Sequence, residues 1–119
     1  MFKNEKRHSI GNYLYAVGHT TKGEIINIKI VDKVLECDMY DLLKIEIPHG
    51  VEDVWCNDNK LIELYIPYSV KYMYCYNNNF SNIIIEDTDK NPSRLIHLEC
   101  DKRVLKLENM IDKISIALH

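Results

Sequence analysis

The sequence predicts a β-rich repeat solenoid built on a short parallel sheet, and three observations predict it. Cys37, Cys56, Cys75 and Cys100 recur at intervals of 19, 19 and 25 residues, each at the same place in an apolar pattern. Two tandem segments share one template: Val51-x-x-Val54-x-Cys56-x-x-Asn59-x-Leu61-x-x-Leu64-x-Ile66-Pro67 and Val70-x-x-Met73-x-Cys75-x-x-Asn78-x-Phe80-x-x-Ile83-x-Ile85. The remainder of each copy after its Cys places apolar residues too closely for a helix of ordinary length, so each unit closes with extended or 3₁₀ chain.

In chain order, residues 1–31 form an N-terminal capping hairpin and residues 32–119 the solenoid, within a single domain of 119 residues. Residues 13–17 and 24–30 read as strands flanking a turn over Gly18–Gly23. This hairpin is expected to cover the open end of the first repeat, where unpaired strand groups would otherwise meet water. Ile28-x-Ile30 also reads as a further strand ahead of the first copy.

The first copy, Leu35-x-Cys37-x-x-Tyr40-x-Leu42-x-x-Ile45-x-Ile47-Pro48, keeps the apolar frame and carries Tyr40 where Asn belongs. The two complete copies follow. A fourth, Leu95-x-x-Leu98-x-Cys100-x-x-Arg103-x-Leu105, replaces Asn by Arg, and Ile111-x-x-Ile114-x-Ile116 supplies one more strand. Degenerate outer copies are expected because terminal repeats have one neighbour instead of two. Pro48 and Pro67 punctuate turns by fixing φ and biasing the preceding residue toward extended geometry. The six extra residues between Ile85 and Leu95 go into a loop over residues 86–92, since the apolar ladder on either side must stay in register.

Within each strand, side chains alternate with period 2, which sends Val54 and Cys56 inward and Trp55 and Asn57 outward. The four thiols then stack as a core cysteine ladder, because free Cys packs as a small hydrophobe. One Cys per consecutive strand is a line, which cannot converge on a tetrahedral zinc. Asn59 and Asn78 stand where the chain leaves the strand and form an asparagine ladder that satisfies backbone groups freed by the turn.

The copies at Val51–Leu61 and Val70–Phe80 resemble the leucine-rich-repeat motif, most of all the short-repeat class of bacterial effector and viral proteins, over roughly residues 32 to 116. The resemblance implies a curved solenoid with the parallel sheet on its concave face, an extended or 3₁₀ convex side, and binding of other proteins as its chief use. Effector relatives often join such repeats to a ubiquitin-ligase domain, for which 119 residues leave no room.

Other functions are disfavoured by what the residues lack. A net charge of −3 gives no general attraction to a phosphate backbone, so nucleic acid is not an expected partner. The N-terminus has no continuous apolar stretch of a secretory signal, and nothing approaches the length of a membrane span. A cytoplasmic protein with reduced thiols is expected, in the host cytoplasm if the chain is viral or effector-derived. Asp87-x-Asp89-x-Asn91 begins like a calcium loop, but Pro92 replaces the turn Gly and Leu98 the bidentate Glu. The five histidines show no metal spacing and no paired nucleophile, so no enzyme and no cofactor are expected.

The outward strand positions fall into three columns: Val34, Asp53, Tyr72, His97; Glu36, Trp55, Tyr74, Glu99; and Asp38, Asn57, Tyr76, Asp101. Trp55, Tyr72, Tyr74 and Tyr76 thus form a central aromatic patch, bordered by Glu36, Asp38, Asp53, Glu99 and Asp101, with Asn57 and His97 among them. Aromatics ringed by charge have the composition of a protein-binding hot spot, and the acidic border favours a partner with a basic surface. The alternative is self-association, as a homodimer, through an open edge formed by residues 111–119.

Overall fold

Three-residue strands with one inward residue each cannot fold alone; they are held by stacking. A computed structural model describes residues 9–10, 13–102 and 114–119, and no helix occurs among the described residues. The front of the solenoid is a parallel sheet of β4 (Val34–Glu36), β6 (Asp53–Trp55), β8 (Tyr72–Tyr74), β10 (His97–Cys100) and β11 (Ser115–Leu118), neighbouring in that order. Leu35, Val54, Met73, Leu98 and Ile116 pair in register as the inward column. The first four of these, like all four cysteines, are buried.

On the opposite side the chain is extended, as the spacing predicts: β5 (Leu42–Glu46), β7 (Glu63–Ile66) and β9 (Asn82–Ile85). Of these, β7 and β9 pair in parallel, and Leu42, Ile45, Leu61, Leu64 and Ile83 point into the core. Two facing ladders therefore bury one continuous apolar interior.

The cap consists of β1 (Ser9–Ile10), β2 (Tyr13–Thr20) and β3 (Ile25–Ile30), all antiparallel. It covers the first coil by pairing β2 with β5. The turn is shorter than the sequence suggests, because β2 runs on through Gly18 to Thr20. A Cβ at Gly18 would lie 2.8 Å from Leu42 Cδ2 and 3.2 Å from Ile26 Cγ1. This glycine serves close approach of the cap to the first coil, not the turn. Ile28 and Ile30 belong to β3 and not to an extra repeat strand. A tight Val31–Val34 turn, with Asp32 and Lys33 both at positive φ, leads into β4.

The insertion is an exposed loop that leaves the register intact, with His97 opposite Tyr72. It is tied by Asn91 N–H to Thr88 Oγ1 at 3.0 Å and Ser93 N–H to Asp87 Oδ1 at 2.9 Å. Arg103, Leu105 and Ile111 lie outside the described residues.

The first three coils leave their front strands through a left-handed residue: Met39 (φ 57°), Asp58 (φ 59°) and Asn77 (φ 57°). Asp and Asn tolerate this region, whereas an unbranched apolar side chain gains nothing there. Met39 is also 76% exposed. Met39→Asn is therefore expected to raise the unfolding free energy by about 0.5–1 kcal/mol. A urea midpoint that stays put or falls would refute this.

Beyond the turn, Asn59 and Asn78 are buried, and each reaches back to the preceding coil. Asn59 Oδ1 accepts from Tyr40 N–H and Leu42 N–H, both at 3.0 Å, while Nδ2 donates to the carbonyls of Cys37, Cys56 and Asn57. Asn78 repeats the pattern with Leu61 N–H and the carbonyls of Cys56, Cys75 and Tyr76. The amide thus ties its own coil to the one before it, and the first coil has no repeat before it. Tyr40 stands exposed in that position, and the cap bonds the first turn through Thr21 N–H to Asp41 O at 3.0 Å.

Candidate functional site

The front face is the side of the sheet whose residues alternate with the buried column. The register places Asp53, Tyr72 and His97 in one row and Glu36, Trp55, Tyr74 and Glu99 in the next, as the sequence columns predict. The rows continue into β11 as Ser115 and Ala117. Trp55 and Tyr72 are each 37% exposed, and Tyr74 and Tyr76 are partly exposed. Strand spacing brings the Trp55 and Tyr74 rings into a stack with centroids 3.9 Å apart and planes 15° from parallel. Tyr74 then leans on the His97 ring at 5.8 Å.

The third column behaves differently. Asn57, expected to face outward, is buried at 3% exposure. The reason is that β6 ends at Trp55, so strict alternation stops before Asn57 and the chain is already turning. Its Oδ1 accepts Tyr76 N–H of the next coil at 2.9 Å, and its own N–H donates to Asp38 Oδ1 at 2.7 Å. Asp101 likewise takes the amides of Asn77 and Asn78. Asp38, Asn57 and Asp101 thus brace the turns, and only Tyr76 of this column presents its ring beside the patch.

His119 is a member that the sequence reading missed. Its ring stacks on Tyr76 at 4.1 Å, and its Nε2 bonds Glu99 Oε1 at 2.9 Å, while His97 Nε2 bonds Glu99 Oε2 at 3.0 Å. Aligning Leu118 with Cys100 would have placed His119 beside Asp101 in the third column. The hydrogen bonds from His97 and His119 hold the Glu99 carboxyl below its ordinary range. A lowered native pKa means stabilisation that is present above the unfolded carboxylate range, about 4.3, and lost as pH falls through the native value. The stability deficit of Glu99→Gln relative to the parent chain is accordingly expected to be full near pH 6 and to shrink below about pH 4. A deficit that widens on acidification would contradict it.

At the other end of the patch the charges are uncompensated. Burial pushes the Asp38 carboxyl up against the opposing effect of the Asn57 amide, and Asp58 and Glu36 push it further. Burial also raises the Tyr74 phenol, with Glu99, Asp53 and Tyr72 adding to it. Asp53 and Glu36 have no ionic or hydrogen-bonding side-chain partner among the described residues. Glu52, just outside the patch, is bridged by Lys33 and Lys71 at 3.7 and 3.5 Å.

The thiols lie behind this face, free and buried. Burial drives the Cys56 and Cys75 thiols well up and Cys100 to about 11, which favours the neutral thiol form in which Cys packs as a small hydrophobe. Among the described residues no three His, Cys, Asp or Glu side chains are grouped to hold a metal ion.

The back face carries Leu43, Ile62, Tyr65 and Ile84 exposed along an open groove of about 610 Å³ between β5 and β7. At its margin Glu86 accepts Tyr68 N–H at 3.1 Å and pairs with His49 at 3.0 Å. Burial would raise the Glu86 carboxyl, but these two contacts outweigh it and hold it low.

No helix among the described residues is long and apolar enough to cross a membrane. Comparisons with protein-family models, with curated proteins and with solved structures returned no match.

Proposed function

We propose that this chain is a non-catalytic interaction module of the leucine-rich-repeat kind, gripping a protein partner on the front sheet as the concave face of a curved solenoid. The observation that carries this reading is the Trp55–Tyr74 stack with Tyr72 exposed beside it, bordered by Glu36 and Asp53, which no basic side chain among the described residues pairs with. Trp55 and Tyr74 anchor the contact, Tyr72 and Tyr76 extend it, and Glu36 and Asp53 select a basic surface. Asp38, Asn57 and Asp101 contribute through the shape of the turns they hold. Four free, buried thiols favour a reducing compartment, the cytoplasm.

The test is affinity capture from the native host with the parent chain, with Trp55→Ala plus Tyr74→Ala, and with Tyr65→Ala on the back face. Loss of the captured partner in the front-face pair alone, with circular dichroism unchanged, is the expected result. Capture that survives the pair removes the proposal.

A second reading, self-association, draws on β11, which is the last strand of its sheet and has no outer neighbour among the described residues. Leu118 on it is 43% exposed. Light scattering over a concentration series separates the two, since a purely hetero-binding module stays monomeric.

A further inference from the structure

The two ends of the aromatic stack are not equivalent. On the β10 side, Tyr74 is backed by His97, and each carboxylate oxygen of Glu99 is bonded by an imidazole. On the β4 side, the residue in register with Trp55 is Glu36, which is exposed and has no partner among the described residues. The stack covers one face of the indole with Tyr74, the other lies on the β4 side, and Trp55 is 37% exposed. The Glu36 carboxylate and the outer indole face therefore border one slot at the spacing of adjacent strands, about 4.8 Å. Glu36 and Asp58 both act on the Asp38 carboxyl, so acidic groups are concentrated at this end.

Resting on the interaction-module reading, we propose that this slot receives an arginine side chain of the partner. Its guanidinium lies flat on the open face of Trp55 and is held edge-on by Glu36. The planar cation meets both requirements of the slot: a ring face attracts positive charge, and a carboxylate accepts two parallel N–H bonds from a guanidinium. A lysine ammonium can satisfy the charge but neither the stacking nor the paired geometry. The Glu99 end receives no cation, because its carboxylate is already occupied.

The chain contains one tryptophan, so its indole N–H signal and its fluorescence report on this slot without ambiguity. The probe is a capped Gly-Arg-Gly peptide, with Gly-Lys-Gly and Gly-citrulline-Gly as its counterparts. The arginine peptide is expected to shift the indole signal saturably in the millimolar range, with lysine about fivefold weaker and citrulline without effect, as loss of stacking or charge implies. Glu36→Gln should weaken the arginine peptide at least about fivefold, while Glu99→Gln leaves it unchanged. No saturable shift, equal shifts from citrulline, or indifference to Glu36→Gln each overturns the arginine slot. If these occur while the Trp55 and Tyr74 pair still abolishes capture, the slot falls and the wider reading stands. Peptide binding with capture unaffected by that pair has the opposite meaning.

Discussion

Asn59→Ala is expected to lower the unfolding free energy by about 3–5 kcal/mol, because it removes five hydrogen bonds in one step and takes the side-chain partner from Tyr40 N–H, Leu42 N–H and the Cys37 carbonyl, while the Cys56 and Asn57 carbonyls keep Asn78 Nδ2 and Met39 N–H. A buried polar group left unsatisfied costs about 1–3 kcal/mol, and water entering the vacated space can repair only some of the three. Since a small domain is stable by about 5–15 kcal/mol in all, the variant should be marginal. Urea unfolding followed by circular dichroism measures this. Asn59→Asp should not rescue it: the carboxylate keeps the bonds to Tyr40 and Leu42 but sets negative oxygen against the carbonyls of Cys37, Cys56 and Asn57. Tyr40→Ala, at the equivalent but exposed position, should stay within about 0.5 kcal/mol of the parent. A loss below about 1 kcal/mol for Asn59→Ala would show that solvent serves these groups as well as the amide does.

Met73→Ala should cost about 2–5 kcal/mol, and the loss should be local as well as large. Met73 is fully buried at the centre of the inward column, between Val54 and Leu98. In a stack where each coil contacts only its neighbours, a cavity at one interface weakens the link between the two sides more than either side. The cap and β4 retain each other through the β2–β5 pairing, whereas β10 and β11 depend on β8. Hydrogen exchange should therefore show protection lost first in β10 and β11 and last in β2 and β5. Uniform loss across the chain would mean that the solenoid unfolds as one unit and that the nearest-neighbour description fails.

Much of the architecture was legible in the residues because one short period dictates it. Side-chain alternation over Val54-Trp55-Cys56 and its copies assigns inside and outside, and the 19-residue spacing then aligns the first two outward columns without further information. The burial of Asn57 in the third column was not legible, since alternation holds only while the chain stays extended. Asp58 takes left-handed geometry immediately after Asn57, and the turn rotates Asn57 inward. The union of β2 with β5 was also hidden: it is a contact between segments more than 20 residues apart, and Gly18 reads as a turn signal until Leu42 is known to press against it. His119 escaped because its meaning depends on β11 lying beside β10, which the apolar frame of Ile114 and Ile116 marks only faintly.

The backward reach of Asn59 and Asn78 gives the structure an order of assembly. The turn of the first coil is sealed by an amide that lies 17 to 22 residues later, and the second by one from the third. A chain emerging from the ribosome can therefore finish the first of these turns only after Asn59 has been made, and the second only after Asn78. Until then each stays unlatched.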